Sequence, residues 1–288
     1  MSELSRKIRC GVAGWSYPDW QGIVYTGRVK DQLAFLAGFV DMIEINTTFY
    51  RPPSAQNAES WVRRTRAYPD FYFTAKIHQN VTHEHVIDPE MVRAFQEGFR
   101  PMREAGKLRH LLAQFRYDFA DSAPHRDFLR ELKARFSPIS ELVLELRHIS
   151  WQAPESLELL KSLEVVVANL DYPEARSSFT LRECRLGING YLRLHGRNAA
   201  AWFDRSAGRD ATYNYLYAPK ELDDIKERAL SLAQTYRSLT IVANNHFRGK
   251  EVANTLELKA RITGERVPVP PGLLAEYPRL QEIALEPA

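Results

Sequence analysis

Polar side chains recur at the ends of apolar runs in this chain, set apart from one another by single apolar residues. The runs close as Ile43-Glu44-Ile45-Asn46, Lys76-Ile77-His78, Leu144-Glu145-Leu146-Arg147, Leu192-Arg193-Leu194-His195 and Asn244-Asn245-His246. Gln114 ends another run, and Asn169 and Asp171 end a further one. In a strand, residues two apart share a face, so each pair points the same way. Isolated buried charge is costly, so several such groups in one place must meet each other, water or a ligand. Glu44 and Glu145 are the acid/base candidates. One carboxyl held protonated while another stays ionised is the arrangement of a glycoside-type site. Lys76, Arg147 and Arg193 could neutralise those carboxylates or bind a phosphate, carboxylate or sulfate on a substrate. Lys76 and His195 complete the catalytic set, and Asn46, Gln114, Asp171, Asn244 and Asn245 are candidates to position a ligand.

Aromatic residues follow the same runs. Trp15, Tyr17, Trp20 and Tyr25 come after the first, Phe49 and Tyr50 after the second, Trp151 after the fifth, and Trp202 with Phe203 after the seventh. Such rings stack on sugars or bases, although packing of the loops accounts for more than half of them. Trp15, Tyr50 and Trp151 join the ligand-binding candidates on this ground.

Two other chemistries compete. His78, His195 and His246 with Glu44, Glu145 and Asp171 could hold zinc or manganese for phosphoester hydrolysis or isomerisation. No HExxH or comparable spacing supports that set, and Lys76 and the two arginines would repel a dication, so no metal or other cofactor is expected. Nucleic-acid binding belongs with the metal reading, and it would need a basic stripe that the sequence does not display. The third possibility is a non-catalytic module that binds a small molecule. Unshifted titration of both glutamates would favour it.

Alternation of short and long segments is what must position these residues. Apolar or β-branched runs at 8–13, 42–47, 71–77, 108–115, 141–146, 165–170, 191–195 and 239–243 read as strands. Helical stretches follow near 31–39, 55–66, from 89, 124–136, 154–162, 219–236 and 250–262, while 171–189 has no helical period. Eight parallel βα units in this order predict an α/β fold, a TIM (β/α)8 barrel in a single domain over 1–266, with its site at the C-terminal strand ends. An open doubly wound sheet would alternate too, but GVAGWSYPDW after the first strand is no GxGxxG loop. The segment 196–218 is too long for a bare connector and carries Arg197, Trp202, Arg209, Tyr213, Tyr215 and Tyr217. It is expected to form an ordered lid, with a subunit contact as the alternative. Residues 267–288 are Pro-rich and are expected to pack on the barrel as an extension.

Composition limits the remaining classes. With 288 residues and 44% hydrophobic content, the chain can bury a core without disulfides, and Cys10 and Cys184 offer no disulfide framework. A net charge of +3 and a pI near 8.8 are too weak to point to nucleic acid. No run of eighteen apolar residues occurs, so no membrane partner is expected, and the charged start lacks the apolar stretch of a secretory signal. These features predict a cytoplasmic protein whose partner is a small molecule; they leave its oligomeric state open.

The segments GVAGWSYPDWQG, DMIEINTTFYRPPS, FTAKIHQNVTH, LAQF, LELRHISW, YLRLHGRN and NNHFRGKEVAN, in this order, resemble the family called domain of unknown function 72 (YecE-like). The resemblance runs from Arg9 to Arg261 and implies a TIM barrel. Shared positions fall on Gly14, Trp15, Glu44, Asn46, Tyr50, Lys76, His83, Gln114, Glu145, Arg147, Trp151, Asp171, Arg193, His195, Asn244 and Asn245, among others. After Gln114 the family has QFPP or QFPW, whereas here Phe115 leads into Arg116-Tyr117-Asp118, which adds a cation and a carboxylate. The resemblance supplies no activity. From the residues themselves, the expected function is metal-free acid/base catalysis, possible hydrolysis included, on a sugar-containing or anionic small molecule.

Overall fold

The computed structural model describes residues 2–204 and 206–285. Its strands are β1 (Ile8–Ala13), β2 (Met42–Ile45), β3 (Tyr72–Lys76), β4 (Leu108–Gln114), β5 (Glu141–Glu145), β6 (Val166–Val167), β7 (Asn169–Asp171), β8 (Gly190–Leu194) and β9 (Leu239–Ala243). They form one sheet in the order β6-β5-β4-β3-β2-β1-β9-β8-β7. The two ends of that order are pieces of one extended segment, separated only by Ala168. Eight runs in sequential order, with the last returning to the first, are the topology of the TIM class.

The chain falls into two compact units, one of residues 1–43, 170–173 and 192–288, the other of 44–169 and 174–191. In the first, β1 pairs in parallel with β9, Cys10 opposite Ile241. Helices Pro219–Thr235 and Lys250–Thr263 supply much of the core around Leu192, Leu194, Leu222, Ile225, Leu232 and Leu258. β9 is buried at every position, as expected of a parallel strand covered on both faces. Helix Pro219–Thr235 opens with proline, and the Glu221 carboxylate accepts the Ala218 N–H at 2.8 Å. After Val267, helix Pro271–Glu276 and the turn Pro278–Glu282 carry Leu273 and Leu280 into burial, and Val267 bridges to Ala284. Arg279 fastens this extension by bonding the Tyr217 carbonyl at 2.7 Å and Glu257 at 2.6 Å.

In the second unit β3, β4, β5 and β6 pair in parallel, with Leu111 opposite Leu142 and Leu144 opposite Val167. Its helices begin at side-chain caps. Ser54, Asp88 and Ser122 accept the backbone N–H groups of Asn57, Glu90 and His125. Below them, Arg126 grips Asp121 through two bonds of 2.6 Å. The Asp121 carboxyl is held below its usual pKa, first by that bond.

Several strands stop a residue or two before their apolar runs do. β2 ends at Ile45 because Asn46 turns into the helical region and opens the tight turn Thr47–Phe49. Helix Glu3–Lys7, capped by Ser2, is too short for any period to reveal. The segment 196–218 is built around two helical turns, Ala199–Trp202 and Arg209–Thr212.

Gly11 of β1 packs tightly against the start of β2: an added Cβ would lie 2.0 Å from the Met42 carbonyl oxygen. Gly208 offers a control, since a Cβ there meets nothing within 4 Å. Gly11→Ala is expected to lower the unfolding free energy by about 1–3 kcal/mol, seen as a lower urea midpoint. Gly208→Ala is expected to stay within about 0.5 kcal/mol of the wild type. Equal midpoints for the two variants would show that β1 and Met42 separate without cost.

Candidate functional site

Chemistry-bearing groups gather at strand ends in each unit. In the unit of 44–169, Glu44 near the end of β2 and Glu145 at the end of β5 are both wholly buried. Alternation along each strand turns them away from the isoleucines and leucines beside them. Glu44 Oε2 accepts the Tyr191 hydroxyl at 2.9 Å, and that hydroxyl lies 2.9 Å from Thr74 Oγ1. Glu145 Oε1 accepts both Nε and Nη2 of Arg147, at 2.9 and 2.7 Å. The spacing Glu-Leu-Arg makes this pair local, both side chains lying on one face of the chain as it leaves β5.

Lys76, at the end of β3, places its ammonium 4.1 Å from the centre of the Phe49 ring, and His83 meets the same ring edge-on at 5.1 Å. Burial lowers the His83 pKa from its ordinary value, and the charges of Lys76, Arg116 and Arg147 lower it further against weaker opposition from Glu84. Three cations therefore bear on one imidazole, and Arg116 belongs to the loop where this chain leaves the QFPP pattern. Gln114 at the end of β4 and Asn46 just past β2 are half-buried, and Tyr50 is 62% exposed.

Other expected ligands have structural work. The Trp151 ring is buried, stacks on Phe119 at 5.5 Å and donates its one N–H to the Phe119 carbonyl at 2.7 Å, so here it packs the loop. His78 caps the turn Gln79–Thr82: Nδ1 accepts the Asn80 N–H at 3.2 Å, and Nε2 lies 3.0 Å from the Tyr50 carbonyl. Both of its nitrogens are thus engaged by backbone. Further down the strands, His110 Nδ1 lies 3.0 Å from Glu141 Oε2. Burial alone would raise Glu141, yet His110 and Asn189 outweigh it and bring that carboxyl below its ordinary value.

In the other unit, Asp171 at the end of β7 accepts Nε and Nη2 of Arg197 at 2.9 and 2.7 Å and the Tyr217 hydroxyl at 2.7 Å. Arg197 also reaches Glu221 at 3.0 Å. The Tyr217 hydroxyl in turn accepts the Gly196 N–H at 2.9 Å. Gly196 has φ of 85° and would bring a Cβ within 2.6 Å of Tyr215, so the chain can turn there only with glycine. Asn245 donates to the Tyr215 carbonyl and to Asn254 Oδ1, which makes it a brace for the same loop.

Arg193 and His195 are wholly buried on β8 and just beyond it. Asn244 Nδ2 lies 3.1 Å from His195 Nδ1, and Arg193 Nη1 lies 3.5 Å from Nε2. Both neighbours are donors, and a neutral ring can accept from only one of them. Rings continue outward: Trp202 lies 5.7 Å from His195 and 6.0 Å from Tyr213, and Tyr213 lies 5.4 Å from His246. Tyr17 stacks on His246 at 4.7 Å. His246 is lowered to about 4, by burial first and then by the charge of Arg209. Its two ring nitrogens have no hydrogen-bond partner among the described residues. Trp15 is half-buried, and its carbonyl accepts the Tyr25 hydroxyl. Among the described residues, no three His, Cys, Asp or Glu side chains come together as a metal ligand set.

Tyr191, Arg197, Tyr217 and His83 went unassigned in the candidate set. The two-residue spacing that singles out Arg193 and His195 reaches back to Tyr191, so that signal was present. Nothing in the spacing of Arg197 and Tyr217 joins them to Asp171, because the loop alone brings them there.

Residues 9–278 match the family model described as protein of unknown function DUF72. The chain is 28% identical over 263 residues to the UPF0759 protein YunF of Bacillus subtilis (strain 168), covering 86% of this chain and 92% of that one. It is 30% identical to the solved DUF72 family protein TM1631 of Thermotoga maritima MSB8, with a TM-score of 0.77 over 89% of this chain and 99% of the other. A DUF72 family protein of Enterococcus faecalis V583 shares the fold at 24% identity and a TM-score of 0.78, over 89% of this chain and 95% of its own. With the family model spanning nearly its whole length, the chain belongs to the DUF72 family.

Proposed function

We propose that the protein is an enzyme that uses Glu44 and Glu145 as an acid/base pair on a small anionic or sugar-containing molecule. The observation that carries this reading is two wholly buried carboxylates, each with a dedicated donor, in one unit with a set of cations. A buried carboxylate held by a neutral hydroxyl and another held by a guanidinium sit in different fields, which is how one fold divides acid from base duty. Lys76, Arg116 and Arg147, the cations that act on His83, suit an anionic group on the substrate. In this reading Tyr50, exposed beside Phe49, supplies a stacking face, and Asn46 and Gln114 supply polar contacts at the strand ends.

The direct test is a turnover screen against phosphorylated and acidic sugars, with Glu145→Gln and Glu44→Gln alongside the wild type. Activity in the wild type is expected to fall about 100-fold or more in each variant, the usual weight of a positioned acid or base. Retained activity in both would remove the pair from the mechanism. If Glu145 serves only to hold Arg147, Glu145→Gln should instead unfold more easily, by roughly 3 kcal/mol, without a separate loss of turnover per folded molecule.

Anion affinity should also depend on pH with a definite sign. His83 has a pKa below its ordinary 6.5, so it is neutral at pH 7 and gains charge only on acidification below that value. Sulfate, which keeps its charge across this range, is expected to bind with constant affinity from pH 8 to 6.5 and more tightly below, as read by calorimetry. His83→Ala is expected to flatten that rise. A wild-type profile that weakens on acidification would contradict the assignment of the anion to this group.

A further inference from the structure

The unit of 1–43, 170–173 and 192–288 contains a cavity of about 320 Å³ at the start of β1, away from its C-terminal end. Ile8, Arg9 and Cys10 of β1 form one wall, Ile262 near the end of its helix another, and Val267 and Pro268 of the extension a third. That volume lies in the range of small-molecule sites.

Most polar groups in the wall answer one another. Lys259 bonds Asp41 Oδ1 at 2.7 Å, while Asp41 Oδ2 accepts the Cys10 N–H at 2.9 Å. The Ser5 hydroxyl donates to the Ser2 carbonyl at 2.8 Å, and the Thr263 hydroxyl to the Lys259 carbonyl at 2.9 Å. Glu265 and Arg266 carry opposite charges and are both exposed, where water and salt screen them. Arg9 is left over. Its side chain is half-buried, and it makes no hydrogen bond or ion pair with any other described residue. The Cys10 thiol is buried, and burial pushes its pKa up, so it lines the cavity as a neutral, weakly polar surface.

We propose that this cavity binds a small monoanion with an apolar body, its carboxylate on Arg9 and its chain against Ile8, Ile262 and Val267. A guanidinium presents two parallel N–H groups that match a carboxylate, and a half-buried one gains from a partner more than an exposed one does. Among the described residues of the wall one cation is unmatched, which calls for one negative charge. The aliphatic wall supplies burial for a short chain and no donors for a sugar. The site shares no residue with the proposed chemistry, so it stands or falls separately.

Pentanoate is the probe, titrated into the full-length protein by calorimetry, with pentylamine as the matched cation. Pentanoate is expected to bind saturably at one site per chain, and pentylamine not at all. Arg9→Met should weaken pentanoate on the order of tenfold or more, the weight of one charge-assisted pair. Thr263→Trp, which fills the cavity from a half-buried position, should abolish binding while circular dichroism and the melting temperature stay near wild type. It decides the matter if Arg9→Met does not fold. Lys76→Ala, in the other unit, should leave pentanoate binding unchanged. The proposal is overturned by the absence of saturable binding, by equal binding of pentylamine, by indifference to Arg9→Met and Thr263→Trp, or by loss of binding in Lys76→Ala.

Discussion

A carboxylate with no exposure must find donors inside the fold, and the two at Glu44 and Glu145 set terms for everything around them. Burying such a charge alone costs several kcal/mol, and removing one partner of a buried pair costs about 3–5 kcal/mol. Tyr191 and Arg147 therefore do more than decorate the strand ends. The Tyr191 hydroxyl is placed by β8, donates to Glu44 and lies beside Thr74 on β3, so residues from three strands meet at one oxygen. Arg147 comes from the chain just past β5 and spends two donors on one oxygen of Glu145. Strand register decides whether these contacts exist, because a slip of one residue would turn each polar group toward the isoleucines and leucines.

Cations near these carboxylates matter for the same reason. Lys76 rests on the face of Phe49, an arrangement that holds an ammonium in place without consuming its charge. His83 registers the local field: burial and three positive neighbours depress it together. A neutral imidazole in a cationic setting can still donate or accept a hydrogen bond, and it becomes one more cation if an anion enters or the pH falls. Only the share of that depression that comes from the three cations favours a bound anion; burial, its largest single cause, penalises charge of either sign.

Much of this was legible in the sequence, for identifiable reasons. Strands such as 8–13 and 239–243 stand out as apolar runs because both faces of a parallel strand are buried. Helix starts at Pro89, Pro154 and Pro219 are marked by proline at the first turn. Polar pairs at strand ends show themselves through the two-residue period. What the sequence does not display is any contact made by a loop. Asp171 reads as a ligand candidate until Arg197 and Tyr217 arrive from 25 or more residues along the chain and occupy it. Trp151 reads as a stacking face until Phe119 covers it. The strand ends were also placed too far along, since Asn46 prefers to open a turn and β-propensity says nothing of where a strand must yield to one.

The segment 196–218 illustrates how a loop can be firm at its ends and cheap to move between them. Its start is fixed by Gly196, Arg197 and Asp171, and its end by Tyr217, whose hydroxyl joins the same knot and whose backbone is held by Asn254 and Arg279. Between them, Trp202 and Tyr213 are only half-buried and touch their neighbours ring to ring, while most other described residues from 199 to 212 are exposed. Ring contacts of this kind are worth roughly 0.5–1.5 kcal/mol each, against several kcal/mol for the charged knot at either end. Displacing the middle therefore costs far less than displacing the ends. It would also uncover His246, whose unsatisfied nitrogens lie beside the Tyr213 ring. The segment is thus a strap pinned at both ends, and its weakest contacts lie against His246, a ring that has no hydrogen-bond partner at either nitrogen among the described residues.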